Sequence, residues 1–131
     1  MNGKILVIGG AGYIGSHVTF ELNDQNYNTI IYDDLSSGNK INIDPRSEFV
    51  KGSIFDLKLL NNTLQREIST VIHLAALKNA GASMNNPQEY AKHNIAGSLD
   101  LMNLCIDNNV KNFIFSSSAA VYGLPKYLPI D

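Results

Sequence analysis

The sequence has little of what disulfide scaffolds and metal centres require. Cysteine occurs once, as Cys105 within an apolar run, so no internal disulfide can form and a small buried side chain is predicted. The histidines His17, His73 and His93 share no metal-like spacing and have no cysteine companions. We therefore expect neither a disulfide framework nor a bound metal.

Long apolar runs and clusters of positive charge are also lacking. No apolar run reaches the ~20 residues that a transmembrane helix needs, and the first residues lack the apolar segment of a signal peptide. We therefore expect a cytoplasmic protein that does not enter a membrane. Lysine and arginine are scattered through a chain of net charge −2, which disfavours nucleic acid as a partner.

Apolar runs of strand length alternate with helical patterns along the 131 residues. Strands are predicted over residues 5–8, 29–32, 49–50, 71–76 and 113–115. Most lack strict polar alternation, which is typical of strands covered on both faces of a parallel sheet. The pattern predicts an α/β fold, a Rossmann-type doubly wound parallel sheet with strand order 3-2-1-4-5. Because no sixth strand follows, we expect residues 1–131 to form an incomplete domain.

Three helices are predicted between these strands, over residues 13–24, from residue 56 onward and over residues 86–109. In the first, Ile14, Val18 and Leu22 lie on one face. The third is the longest and begins with the capping pattern of Asn86, Pro87 and Glu89.

The third helix is apolar on more than one side. One apolar stripe consists of Ile95, Leu99, Met102 and Ile106. Leu101, Leu104 and Cys105 extend beyond that stripe, a surplus that a partner helix could cover. We therefore expect a homodimer that forms through this helix.

A glycine-rich turn joins the first strand to the first helix. Gly9, Gly12 and Gly15 fit the pattern Gly-x-x-Gly-x-x-Gly, and Gly10 extends the match to Gly-x-Gly-x-x-Gly. Such a turn supplies positive φ, lets a pyrophosphate approach the backbone and presents the free amides of a helix N-terminus. Its position between strand and helix predicts a dinucleotide-binding loop.

The second strand ends in acidic residues. Asp33 lies eighteen residues after Gly15, where a carboxylate can accept both hydroxyls of an adenosine ribose. Asp34 adds a second negative charge, and no arginine follows to offset a 2′-phosphate. The residues that follow are Leu35, Ser36, Ser37 and Gly38. The sequence therefore predicts NAD rather than NADP as the cofactor.

Three blocks of the sequence carry a more specific likeness. They are Gly9 to His17, then Leu74-Ala75-Ala76-Leu77-Lys78, then Ser116-Ser117-Ser118-Ala119-Ala120-Val121-Tyr122-Gly123. In order and spacing, the chain resembles the front part of the UDP-glucose 4-epimerases of the extended short-chain dehydrogenase/reductase family. Dehydratase relatives usually carry acidic residues at the positions of Ala119 and Ala120, so the likeness favours an epimerase.

The resemblance implies a role for each block. Tyr13 and Ile14 would meet the pyrophosphate, the residues from Asp33 to Gly38 would surround the adenosine, and Leu74, Ala75, Ala76, Leu77 and Lys78 would line the nicotinamide side. Lys78 and Ser118 would also contact a nucleotide sugar such as UDP-glucose or UDP-galactose. In such enzymes the serine supports proton transfer at the C4 hydroxyl while NAD takes the C4 hydride, and the transient 4-keto sugar is reduced on its opposite face.

The chain departs from the family at two positions. Ser53, followed by Ile54, stands where an aspartate typically accepts from the adenine amino group, and a serine is the weaker acceptor by about 1 kcal/mol. His93 stands where the family often has the first of two asparagines. We expect Ser53, Ile54 and His93 to contact the cofactor.

Tyr122 and Lys126 match the spelling of the family's Tyr-x-x-x-Lys catalytic pair, but we reject the match. The pair must share one helical turn, and Gly123 and Pro125 disfavour that helix. We expect the catalytic base to lie beyond Asp131 and these residues alone to have negligible epimerase activity. Two alternatives stay open: a catalytically dead NAD-binding fragment, and part of a nucleotide-sugar dehydratase or reductase.

Overall fold

The computed structural model describes residues 3–129, apart from the side chain of Ala120. Its strands are β1 (Lys4–Ile8), β2 (Thr29–Asp33), β3 (Glu48–Lys51), β4 (Ile68–His73) and β5 (Asn112–Phe115). Its helices are α1 (Tyr13–Asp24), α2 (Leu57–Leu64), α3 (Ala80–Asn85), α4 (Pro87–Ala91) and α5 (Gly97–Asp107). A π-helical turn, Lys92–Ala96, joins α4 to α5, and short 3-10 turns occur at Lys40–Asn42 and Ala119–Tyr122.

All five strands form one parallel sheet in the order β3-β2-β1-β4-β5, which confirms the predicted fold. Isoleucine and valine dominate β1 and β2, and such β-branched side chains suit the pleated backbone. Ile5 pairs with Thr29 on one side and with Thr70 on the other, which places β1 in the middle of the sheet. The carboxyl ends of β1, β2 and β4 therefore meet at one edge.

The sheet is packed on both faces because successive side chains of each strand point to opposite sides. On one face, Leu6 and Ile8 join Leu60 of α2 and Leu101 of α5 in the larger apolar cluster. On the other face, Ile5, Val7 and Ile72 pack against Val18 and Leu22 of α1. Cys105 is 4% exposed in the larger cluster, which confirms the prediction of a small buried side chain.

Two predicted helices differ from the observed ones. Ile14 of α1 is 58% exposed and does not share the buried face of Val18 and Leu22, because the first turn of the helix lies at the cleft. The predicted helix over residues 86–109 is interrupted by the π-helical turn Lys92–Ala96, and α3 precedes it without having been predicted. No helix within residues 3–129 is long and apolar enough to cross a membrane.

Two predicted strands also differ. The fourth ends at His73 instead of Ala76, since the backbone leaves the sheet at Leu74 to form one wall of the cleft. The fifth is an edge strand, and Ile114 and Phe115 are 52% and 56% exposed. Burial on both faces was expected for most of the strands, and among the described residues β5 is an exception.

Candidate dinucleotide-binding site

A cleft lies at the carboxyl ends of β1, β2 and β4, where open α/β sheets bind ligands. The predicted cofactor residues that line it are Gly9, Gly12, Tyr13, Ile14, Gly15, Asp33, Asp34, Ser36, Ser37, Ile54, Leu74, Ala75, Ala76, Leu77, Lys78 and His93. The residues that line it without having been predicted are Ile8, Tyr32 and Gly52. Leu35, Gly38 and Ser53 lie next to lining residues but do not themselves line the cleft.

The glycine turn is compact because side chains would not fit there. Gly9 has φ +81°, and a Cβ on it would lie 2.7 Å from the backbone nitrogen of Ala75. A Cβ on Gly15 would lie 2.2 Å from the carbonyl oxygen of Gly9, so these two glycines allow α1 to start against the strand. Gly12 differs, because a Cβ there would meet only the Gly9 oxygen, at 3.3 Å.

Gly12 is also the N-cap residue of α1, and no described side chain caps this helix. The first amides of a helix lack partners within the helix, and the helix dipole adds partial positive charge at this end. Tyr13 and Ile14 are 76% and 58% exposed in the first turn, and both line the cleft. This end of α1 can therefore accept a phosphate group.

Asp33 joins the end of β2 to the glycine turn. One carboxylate oxygen accepts the Ala11 amide at 3.0 Å, and the other accepts the Leu35 amide at 2.8 Å. The residue is 8% exposed and lines the cleft. A carboxylate has about four lone-pair positions, so both oxygens of Asp33 can still accept further hydrogen bonds from a ligand in the cleft.

Polar residues that do not line the cleft hold the loop after β2 in place. The Asn39 amide and the Asn42 side chain both donate to the Ala11 carbonyl, at 3.0 and 3.1 Å. Asp44 has no exposed surface and accepts from the side chains of Asn23, at 2.9 Å, and Arg46, at 2.7 Å. These bonds, with those of Arg46 first, lower the pKa of Asp44 to about 2. The loop is thereby tied to both α1 and the glycine turn.

The π-helical turn Lys92–Ala96 places two side chains at the opposite wall. Asn94 accepts the Leu77 amide at 2.9 Å and donates to the Leu77 carbonyl at 2.8 Å, so one side chain satisfies both backbone groups. His93 lines the cleft, and its ring meets the Phe55 ring edge-on at 4.7 Å. Inserted π turns often occur at functional sites, and this one supports the wall made by residues 74–78.

A buried histidine connects that wall to the core. His73 Nε2 lies 2.9 Å from the Ser98 hydroxyl, which donates to the Asn94 carbonyl at 2.9 Å. His73 is 1% exposed, and its Nδ1 has no hydrogen-bond partner among the described residues. Burial lowers the pKa of His73, so the imidazole stays neutral. The prediction that His73 has a structural place in a core strand fits this position.

The comparisons with known proteins agree with this geometry. A model of the NAD dependent epimerase/dehydratase family matches residues 5–131. The chain belongs to this family. The predicted likeness to its epimerases is thereby confirmed at the level of the family.

Relatives within the epimerase/dehydratase family include UDP-glucose 4-epimerases. That of Lactobacillus helveticus is 43% identical over 97% of this chain and 39% of its own length. In the solved structures, the Brucella ovis enzyme in complex with NAD is 40% identical with a TM-score of 0.91, over 98% of this chain and 39% of that chain. The Thermotoga maritima enzyme with UDP-glucose is 40% identical with a TM-score of 0.90, over 97% and 42%. The chain spans about two fifths of the length of the relatives it matches.

The serine block that completes the family likeness follows β5. Ser116 donates its amide to the His73 carbonyl at 3.2 Å, which fixes the start of the block beside the end of β4. Ser118 is exposed, and its carbonyl accepts the Val121 amide at 3.1 Å. It does not line the described cleft.

The rejection of Tyr122 and Lys126 as a helical pair agrees with the structure. The 3-10 turn ends at Tyr122, and Gly123 has φ +64°, so the two side chains do not share a helical turn. The roles of the individual site residues stay predictions within the family.

The roles of two site residues, Tyr32 and Asn94, could not be predicted from the sequence. Tyr32 reads as an ordinary member of an apolar strand, although its hydroxyl donates to the Ser53 carbonyl at 2.9 Å. Asn94 directly follows His93 in the sequence, and its contact with Leu77 spans seventeen positions. The signals that the sequence offers are a tyrosine directly before the acidic strand end and an asparagine directly after His93.

Proposed function

We propose that the described cleft binds NAD and that this chain forms the NAD-binding part of a UDP-glucose 4-epimerase. The observation that carries the proposal is the meeting of two groups in one cleft. The uncapped start of α1 faces a buried acidic residue, Asp33, at the end of the neighbouring strand. A pyrophosphate fits the first group and a ribose diol fits the second.

The charge of the adenosine wall supports NAD over NADP. Asp33 and Asp34 both line the cleft, and no arginine is among its described lining residues. Asp34 is exposed and accepts the Ser36 amide at 2.8 Å, which keeps its carboxylate at the rim. A 2′-phosphate at this point would meet two negative charges without a guanidinium to offset them.

The epimerase activity is the further part of the proposal. It is supported by the family and by relatives that carry the name UDP-glucose 4-epimerase. NAD, when bound, supplies a reversible acceptor for the hydride at the sugar C4. The residues from Leu74 to Lys78 would face its nicotinamide, and Lys78 and Ser118 would contact the nucleotide sugar.

The sharpest test of NAD binding is Gly12→Ala. Gly12 has φ −75° and ψ 175°, which alanine adopts readily, and the added Cβ meets only one atom, at 3.3 Å. The fold should therefore accommodate the change if the Gly9 carbonyl shifts by a few tenths of an ångström, whereas the methyl group would occupy space at the helix start that a pyrophosphate needs. We expect NAD affinity, measured by isothermal titration calorimetry, to fall at least about tenfold, which corresponds to ~1.4 kcal/mol.

The matched control is Gly81→Ala in α3. A Cβ on Gly81 would lie 3.5 Å from the Asn79 side chain, and Gly81 does not line the cleft. This variant should bind NAD like the parent chain, and both variants should keep the parent's melting temperature within a few degrees. Equal NAD affinity in Gly12→Ala and the parent would refute the proposed placement of the pyrophosphate.

We also propose that α5 and the turn before it pair with a second copy of the chain. Leu101 and Cys105, which belong to the surplus that was expected to meet a partner helix, are instead buried in the core of this chain, whereas the other apolar stripe of the helix is solvent-exposed. The exposed fractions are 61% for Ile95, 51% for Leu99, 37% for Met102 and 72% for Ile106. A continuous exposed apolar stripe of this kind is typical of a helix that packs against another helix.

The dimer is tested by Leu99→Asp, with Ile41→Asp as the control. Ile41 is 85% exposed on the loop after β2, away from the stripe. Burying a leucine contributes about 1.5–3 kcal/mol, so Leu99→Asp should raise the dimer dissociation constant more than tenfold in analytical ultracentrifugation, and Ile41→Asp should not. A monomeric parent chain at every concentration would contradict the pairing.

A further inference from the structure

We propose that the Tyr32 hydroxyl is a positioning group for the adenine side of the cleft, where it holds the turn Gly52–Phe55 against the end of β2. The inference rests on the proposed function, because it takes the side of the cleft at this turn to face the adenine ring of NAD. Tyr32 is 1% exposed, lines the cleft and donates its hydroxyl proton to the Ser53 carbonyl at 2.9 Å. A buried tyrosine hydroxyl usually has a hydrogen-bond partner, and here that partner is a backbone carbonyl of the turn.

The bond completes a double link between β2 and the turn. The Gly52 amide donates to the Asp33 carbonyl at 3.2 Å, and the Tyr32 hydroxyl reaches the next residue, Ser53. The same Ser53 carbonyl accepts the Asp56 amide at 2.9 Å, at the start of α2. Tyr32 therefore shares an acceptor with the group that begins the following helix.

Gly52 makes room for this arrangement. A Cβ on Gly52 would lie 2.4 Å from the Tyr32 hydroxyl oxygen and 2.6 Å from the ring carbon that carries it. No larger residue at position 52 could leave the phenol in place. The glycine and the tyrosine thus form one unit, although Tyr32 lies in β2 and Gly52 follows β3, twenty positions further along the chain.

The same turn contributes to the wall of the cleft and contacts its neighbours. Ile54 lines the cleft, and the Phe55 ring packs edge-on against His93 at 4.7 Å. The Ser53 hydroxyl is itself engaged, since it accepts the Phe55 amide at 3.3 Å. Burial, together with the nearby charges of Asp56 and Asp34, raises the pKa of Tyr32 to about 12, so the phenol keeps its proton and remains a donor at neutral pH.

The test is Tyr32→Phe, which removes the hydroxyl and keeps the ring. We expect the affinity for NAD and for ADP-ribose to fall by the same factor, about three- to tenfold, because both ligands carry the adenine and one neutral hydrogen bond is lost. In the chain without ligand, the amide protons of Gly52 and Asp56 should exchange faster, while those of β1 should not change. A general loss of stability would instead raise exchange in β1 as well.

Two further variants complete the design. Tyr27→Phe removes a hydroxyl before the start of β2, at the opposite end of that strand, and should bind both ligands like the parent chain. Gly52→Ala should lower affinity at least as much as Tyr32→Phe, because its Cβ displaces the phenol.

The outcomes separate this inference from the proposed function. Unchanged affinity in Tyr32→Phe, a loss for NAD without one for ADP-ribose, or uniformly faster exchange would each overturn the inference while NAD binding stands. If the parent chain bound no NAD, the proposed function would fail, and the assignment of this wall to adenine would fail with it. The exchange of Gly52 and Asp56 would still decide whether the hydroxyl holds the turn.

Discussion

The two halves of the cleft are held in place by different kinds of contact. The adenosine half comprises Gly9–Gly15, Asp33–Ser37 and Gly52–Ile54, and buried polar groups from distant parts of the chain support it. The nicotinamide half comprises Leu74–Lys78, and its main side-chain support is the amide of Asn94. In the described residues, polar side chains support the adenosine half at several points, whereas Leu74–Lys78 is supported by Asn94 and by the packing of Leu74 and Ala75 against the core.

This difference indicates which half is ready for a ligand before the ligand binds. Asp33 and Asp44 are almost fully buried, and both oxygens of each carboxylate accept hydrogen bonds within the chain. The nicotinamide half adjoins β5, where Ile114 and Phe115 are more than half exposed. Polar networks that are fully satisfied make a structure rigid. We therefore infer that the adenosine half is ordered before a ligand binds. The nicotinamide half gains more of its order from contacts outside its own hydrogen bonds.

Asp44→Asn is the variant for which this comparison predicts the largest effect. The variant replaces an acceptor oxygen by a donor, so the Asn23 amide or the Arg46 guanidinium loses its partner inside a buried network. We expect the free energy of unfolding at pH 7, measured by urea denaturation, to fall by about 2–3 kcal/mol. Asp24→Asn is the matched control, because Asp24 binds the same Arg46 at 2.7 Å from a position that is 62% exposed.

The control should lose much less stability than Asp44→Asn, since exposed ion pairs contribute little. The pH dependence gives a second check. The pKa of Asp44 falls from its ordinary 3.8 to about 2 on folding, so its contribution is present above pH ~4 and is lost as the pH falls from ~4 through ~2. Asp44→Asn should remove that part of the acid transition. Equal losses in both variants would show that the buried network does not distinguish the adenosine half.

The sequence predicted the features that depend on neighbouring residues and missed those that depend on tertiary contacts. The glycine turn could be predicted because Gly9, Gly12 and Gly15 have their function within one short segment, directly after a strand. The π-helical turn could not, because the apolar spacing of residues 86–109 continues through it. The partners of Asn94 and of Tyr32 lie seventeen and twenty-one positions away, and only the assembled sheet brings them together.

A smaller effect, confined to mildly acidic solution, should appear in the nicotinamide half. Burial lowers the pKa of His73 below its ordinary 6.5, so the unfolded chain takes up a proton that the folded chain excludes. The part of the stability that depends on neutral His73 is therefore present above pH ~6.5 and is lost as the pH falls below ~6.5. We expect the free energy of unfolding of the parent chain to decrease from pH 7.5 to 5, and His73→Gln to show a shallower decrease.

The slope with pH is the informative quantity, because His73→Gln also disturbs the contact with Ser98 and lowers stability at every pH. His17→Gln serves as the control, since His17 is exposed and the described contacts of its ring are with Tyr13 and the Tyr13 carbonyl on the same helix. That control should keep the parent's slope. If His73→Gln kept it too, the buried imidazole would not exclude the proton, and the connection from the core through Ser98 to Asn94 would not limit the nicotinamide half at low pH. If the slope became shallower and the protection factor of the Leu77 amide in the parent chain were lower at pH 5 than at pH 7.5, protonation of His73 would account for the weaker support of this half.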